Sequence, residues 1–134
     1  MVIKMTMSGG KKILIAEDDM DIRRLVAYSL EYVGYDVVQA LNGDEAVELA
    51  ESEQPDLILL DVRMPRMNGY EACAVLRSRE STRDIPIVFL SARGQESEIK
   101  RGLEMGAEEY ILKPFAPDEL YQRVGSILDR LERG

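Results

Sequence analysis

Leu57-Ile58-Leu59-Leu60-Asp61 is the stretch that decides the fold. Four consecutive aliphatic residues leave no wet face, so they read as a strand buried on both sides, the kind found in parallel sheets. Pro55 punctuates its start and a carboxylate closes it. Working outward, segments of the same kind recur. Lys11-Lys12 opens Ile13-Leu14-Ile15-Ala16, which runs straight into Glu17-Asp18-Asp19. Tyr35 to Ala40 is a second short strand. Ile87-Val88-Phe89-Leu90 is a fourth, ending at Ser91, and Glu109 to Leu112 is a fifth, followed by Lys113.

Between the strands the period changes to that of helices. Ile22, Leu25, Val26, Ser29, Leu30 and Val33 repeat at i, i+3, i+4, i+7 and stop at Gly34. Asn42 with Glu45, and Asn68 with Glu71, have the spacing of capping pairs. Ala46, Val47, Leu49 and Ala50 follow the first pair, and Ala72, Cys73 and Leu76 the second. From Gln95 to Met105 only Ile99, Leu103 and Met105 are apolar, a thin helical face. Leu120, Val124, Ile127, Leu128 and Leu131 mark the last helix. Five strands alternating with five helices predict an α/β fold, a doubly wound five-stranded parallel sheet. Residues 1–10 show no sustained period and end in Ser8-Gly9-Gly10, so they read as a flexible leader to one domain spanning 11–134.

Composition narrows the function. The chain has 134 residues, 46% of them hydrophobic and 31% charged, the balance of a folded domain. Its 25 acidic and 17 basic side chains give a net charge of −8, which opposes direct binding to nucleic acid. No apolar run has the length of a membrane span and no signal-peptide core precedes the domain. A lone Cys73 cannot close an internal disulfide, in keeping with a cytoplasmic protein. With no His and no second Cys, any metal site must use oxygen ligands, which favours Mg²⁺ or Mn²⁺ over zinc.

In open α/β sheets ligands bind outside the carboxyl ends of the strands. Here the strand ends carry Glu17 and Asp18, then Asp61, then Ser91, then Lys113. Three carboxylates at one edge repel one another, and a hard cation with the Lys113 ammonium would relieve that repulsion. Asp61 is the natural nucleophile, since a carboxylate can carry a phosphoryl group as an acyl phosphate. Ser91 could donate a hydrogen bond to that group. Taken singly, each residue has a plainer explanation: Asp19 as a helix N-cap, Asp61 as a turn residue, Ser91 as a loop hydroxyl, Lys113 as a surface lysine. It is their common edge that favours the chemical reading.

In order and spacing, AEDD after a lysine-led strand, LLDVRMPRMNGYE, FLSARG and GAEEYILKPF resemble the CheY-like receiver domains of bacterial two-component systems. The resemblance covers Lys12 to Leu131. It implies the flavodoxin-like strand order 2-1-3-4-5. It further implies that Glu17 and Asp18 are the acidic metal pair, Asp61 is the phosphoacceptor and the backbone carbonyl of Arg63 is a further ligand. Ser91 and Tyr110 would be the switch residues and Lys113 the phosphoryl-pairing lysine, with the Lys113–Pro114 peptide cis. The implied donor is a sensor histidine kinase or phosphotransfer protein. The implied output is a domain or partner reached through the helix 4–strand 5–helix 5 face. The chain would be a signalling phosphoacceptor with Mg²⁺-dependent self-phosphorylation and self-dephosphorylation, not an enzyme acting on an external substrate.

The stretch from Ser91 to Phe115 is most similar to receivers of winged-helix transcription regulators, which commonly pair through that same face. Glu108, Glu109, Glu119, Arg123 and Arg130 stand where interface charges would fall. Ile99 replaces a usual basic residue and should leave an apolar contact exposed. Arg63 and Arg93, each two residues beyond Asp61 or Ser91, have two readings: solvated loop arginines, or side chains that flank the mouth of the site and slow hydrolysis of a bound phosphoryl group.

Rival chemistries lack parts. A Mg²⁺-dependent phosphohydrolase with an aspartyl nucleophile would want a general acid where this chain has Arg63. A flavin module would want a hydroxyl- and glycine-rich phosphate loop where this chain has three acids. No G-x-G-x-x-G follows a strand. A scaffold that signals without phosphate would be expected to have lost the acidic pair, the acceptor or the lysine.

Overall fold

The computed structural model describes residues 10–92 and 94–133. Ten elements alternate along the chain: β1 Lys12–Ala16, α1 Met20–Tyr32, β2 Asp36–Ala40, α2 Gly43–Glu53, β3 Leu57–Asp61, α3 Gly69–Ser78, β4 Ile87–Ser91, α4 Glu96–Glu104, β5 Glu109–Leu112 and α5 Pro117–Arg133. All strand pairs are parallel and the sheet order is β2-β1-β3-β4-β5. The order reverses between β1 and β3, where a crevice opens at the carboxyl edge. Most of the proposed leader, residues 1–9, lies outside the described residues.

Side-chain alternation along each strand splits the core into two layers. Leu14, Ala16, Ile58, Leu60, Ile87 and Phe89 face α2 and α3, packing on Ala46, Ala50, Ala72, Cys73 and Leu76. Ile13, Ile15, Leu57, Leu59, Val88 and Leu90 face α1 and α5, packing on Val26, Leu30, Leu120, Val124 and Ile127. Both faces of the central strands are covered, which is why their sequences are apolar throughout.

Several local details differ from the sequence expectation. Leu25 is exposed, and the buried side of α1 runs through Arg23, Val26, Ala27 and Leu30. A face centred on Val26 and Leu30 leaves Leu25 at its edge, so an arginine takes an inner position. β2 starts at Asp36 because the Tyr35 N–H bonds back to the Leu30 carbonyl at 3.2 Å rather than to a neighbouring strand. At α3 the capping box is complete: the Asn68 side chain accepts from the Glu71 N–H and the Glu71 carboxylate accepts from the Asn68 N–H. At α2 it is only half formed. Asn42 accepts from the Glu45 N–H at 2.9 Å, but the Glu45 carboxylate accepts from the Leu41 N–H instead.

Candidate functional site

The strand register assembles the site. Ala16 pairs with Leu60, so Glu17 and Asp61 leave adjacent strands side by side. Leu90 pairs with Asp61 and Ser91 with Leu112, which carries Ser91 and Lys113 to the same edge. The Lys113 N–H donates to the Ser91 carbonyl at 2.8 Å. Glu17, Asp18, Asp19, Asp61, Arg63, Ser91 and Lys113 line one cleft of about 390 Å³. Five of the residues singled out from sequence at the strand ends thus come together: Glu17, Asp18, Asp61, Ser91 and Lys113.

Within the cleft the acids are not equivalent. Glu17 and Asp61 are 1% and 4% exposed, whereas Asp18 and Asp19 face solvent. Asp19 Oδ1 accepts from the Ile22 N–H at 3.0 Å and caps α1. The Asp19 N–H in turn donates to Glu17 Oε2 at 3.3 Å. Lys113 Nζ donates to Glu17 Oε1 and, at 3.1 Å, to Asp61 Oδ1. The Lys113–Pro114 peptide is cis.

Burial governs the titration of this cluster. Withdrawal from water pushes the Glu17 carboxyl up to about 7, with Lys113 opposing and the Asp61 charge adding to the rise. Asp61 is raised as well, chiefly by burial, against the pull of Lys113. The Lys113 ammonium is disfavoured by burial, yet its hydrogen bond to Glu17 and the Asp61 charge outweigh that and hold it above its ordinary value. The Lys113 ammonium bonds to two carboxylates, and Asp18 brings a third to the same cluster. Carboxylate oxygens of Glu17, Asp18 and Asp61 lie within 4.8 Å of one another, with no nitrogen or sulfur donor among them. That donor set and its unrelieved negative charge fit a hard divalent cation such as Mg²⁺ or Mn²⁺.

The remaining residues named from sequence fall elsewhere. Arg63 is exposed at the cleft rim, and Arg93 lies outside the described residues. Tyr110 is buried behind the site, its hydroxyl 3.4 Å from that of Tyr70. Glu109 pairs with Arg123, and Arg130 lies 3.8 Å from Glu108 and 3.7 Å from Glu109, so these charges meet within one chain. Glu119 is exposed. Ile99 is half-buried against the core rather than exposed; the exposed apolar residue of α4 is Leu103. The helix turns Ile99 inward, against the core layer that also holds Tyr110.

Two groupings escape a reading by sequence. Arg23, buried on α1, donates to the Glu17 carbonyl at 3.0 Å and to the Gln39 side chain at 3.2 Å. It braces the β1–α1 turn from behind. Tyr70, Glu98 and Arg101 form a second grouping between α3 and α4: the Tyr70 hydroxyl donates to Glu98 at 2.9 Å and the Arg101 guanidinium lies 4.4 Å over the ring. The one signal for Arg23 is its place four residues before Ala27 on the inner face. Tyr70 carries no such signal.

Comparison with known proteins agrees with this architecture. The response regulator receiver domain family model matches residues 13–125. The chain is 46% identical over 122 residues to a probable transcriptional regulator, ycf27, of Cyanophora paradoxa, covering 91% of this chain and 50% of that protein. It is also 46% identical over 123 residues to the alkaline phosphatase synthesis transcriptional regulatory protein PhoP of Bacillus subtilis, covering 92% and 50%. The structure of the Francisella response regulator 1452 receiver domain superposes with a TM-score of 0.84 at 32% identity, covering 91% of this chain and 99% of that one. The chain belongs to the response regulator receiver domain family, whose members are the phosphoaccepting domains of two-component systems. It spans about half the length of the curated relatives it matches. Among the described residues no helix is long and apolar enough to cross a membrane.

Proposed function

We propose that Asp61 is the phosphoacceptor of this receiver and that Glu17, Asp18, Asp61 and the Arg63 carbonyl hold a Mg²⁺ or Mn²⁺ ion beside it. The observation that carries the reading is a buried carboxylate at the end of β3, within reach of Lys113 and of two further carboxylates. An Asp61 oxygen attacks the phosphorus of a phosphohistidine; the new P–O bond forms as the P–N bond breaks, and the imidazole leaves with the electron pair and takes a proton. Bound Mg²⁺ supplies positive charge against the transferring phosphoryl oxygens. Lys113 turns its N–H donors from the carboxylates to a phosphoryl oxygen, and the Ser91 hydroxyl donates to another. Small acyl phosphates serve as alternative donors, and attack by water on phosphorus later returns the free carboxylate.

The natural donor in this reading is a sensor histidine kinase or a phosphotransfer protein. Ser91 and Tyr110 relay phosphorylation to the α4–β5–α5 face, which addresses an output domain or partner and supports a phosphorylation-dependent homodimer. The named relatives are transcriptional regulators, so gene control is the output we propose. Arg63, at the rim of the cleft, slows water attack. Residues 11–134 act as the receiver unit. Incubation with acetyl phosphate, in Mg²⁺ and in EDTA, tests the proposal. One phosphoryl group should add in Mg²⁺ and none in EDTA; equal labelling in both contradicts the metal site.

A further inference from the structure

Of the helices described, α4 has the fewest buried residues. Among its described residues only Gly102 is buried, and Gln95 at its N-cap makes no side-chain capping bond. Against that background the Tyr70 contacts stand out. The rings of Tyr70 and of Phe89 in β4 meet in a T-shaped arrangement at 5.1 Å between centroids, and Arg101 of α4 lies 4.4 Å from the centre of the Tyr70 ring. Its hydroxyl donates to Glu98, one turn before Arg101, and touches the Tyr110 hydroxyl of β5. A single residue at the start of α3 thus grips α4 twice and borders the aromatic of β5.

The same residue is tied to Asp61. Gly69, immediately before it, is pressed against the phosphoacceptor strand. A Cβ placed there would lie 2.4 Å from the Asp61 carbonyl oxygen and 2.9 Å from the Val62 Cα. The Gly69 N–H donates to the Val62 carbonyl at 2.9 Å. Backbone this closely packed transmits a shift at Asp61 to the first turn of α3 rather than absorbing it. In this conformer the Tyr70–Glu98 bond stands together with the bond from Lys113 to the Asp61 carboxylate.

We propose that the Tyr70–Glu98 hydrogen bond, braced by Arg101, is a latch that positions α4 for the state with a free Asp61 carboxylate and is released when Asp61 carries a phosphoryl group. The inference rests on Asp61 being the phosphoacceptor. By linkage, a bond that favours the free-carboxylate state weakens binding of any phosphoryl mimic to Asp61, and removing it tightens that binding.

The test uses beryllofluoride with Mg²⁺ as the mimic, on the whole chain, with hydrogen exchange of α4 amides as a second readout. Tyr70→Phe and Glu98→Ala should each speed exchange across α4 in the protein without beryllofluoride. Each should also tighten beryllofluoride binding by about fivefold, within the usual range of allosteric coupling. The pair together should gain no more than either alone, since both remove one bond. Glu98→Gln keeps an acceptor and should stay close to wild type. Unchanged or weaker binding in Tyr70→Phe and Glu98→Ala overturns the latch, leaving Tyr70 as a packing residue. Failure of wild type itself to bind beryllofluoride would instead overturn the phosphoacceptor reading on which the latch depends.

Discussion

At the scale of single residues, three consecutive acids do three different jobs. Glu17 is buried and pairs with Lys113, Asp18 faces the cleft, and Asp19 caps α1. Asp18→Ala is expected to abolish Mg²⁺ binding. Asp19→Ala should bind Mg²⁺ nearly as wild type while losing about 1 kcal/mol of stability, the usual worth of an N-cap. Titration of Mg²⁺ followed by amide chemical shifts, with urea unfolding alongside, separates the two; equal loss of Mg²⁺ binding would mean that Asp19 is also a ligand.

Titration of the buried acids gives a second residue-scale expectation. Glu17 is raised to about 7 and Asp61 is raised too. Between its unfolded value and about 7, the folded protein holds a proton that the unfolded chain has released. The stability this confers is full at low pH and is lost as pH rises through about 7. Metal-free protein should therefore lose on the order of 1–3 kcal/mol between about pH 5 and pH 8. Asp61→Asn, with one fewer buried charge, should flatten that slope. Mg²⁺ competes with the same protons, so its affinity should fall as pH drops below about 7. Urea midpoints in EDTA across this range check the sign, and a slope equal in wild type and Asp61→Asn would remove the acidic cluster as its cause.

At the scale of elements, strands were far more legible than helices. LILLD and IVFL specify buried strands by composition alone, and their ends place Asp61 and Ser91 within a residue. Helix positions depended on contacts between segments distant in sequence. Leu25 looked inward on period, yet it is exposed, while Arg23 is buried where its guanidinium finds the Glu17 carbonyl and Gln39. The thin apolar face of α4 was visible, but not that Gly102 lets it approach Tyr110 and Phe89, where a Cβ would come within 2.9 and 3.0 Å. No local pattern announces a tyrosine that meets a glutamate 28 residues away. Gly69 carries an element-scale expectation: Gly69→Ala must push α3 off the Asp61 backbone. It should cost about 1–3 kcal/mol, as overpacking does, and weaken Mg²⁺ binding along with stability. Thermal unfolding with a Mg²⁺ titration checks this, and a variant matching wild type in both would mean that the turn yields freely.

For the whole molecule, the doubly wound sheet does two things. It gathers Glu17, Asp18, Asp61, Ser91 and Lys113 at one edge, and it leaves the α4–β5–α5 face carrying Glu108, Glu109, Arg123 and Arg130. Those charges now pair within the chain, so pairing of two copies requires them to exchange partners. In EDTA the protein should sediment as a monomer, and with Mg²⁺ and beryllofluoride as a dimer that Arg123→Ala weakens. A monomer under both conditions would remove dimerisation from the proposed output.

The central claim is that Asp61 takes the phosphoryl group, with Mg²⁺ held by its acidic neighbours. Intact-protein mass measurement of wild type and Asp61→Asn, each incubated with acetyl phosphate in Mg²⁺, tests it most directly. Wild type should gain a single phosphoryl group that EDTA prevents, and Asp61→Asn should gain none. A Mg²⁺-dependent phosphoryl adduct of the same extent on Asp61→Asn would contradict the account.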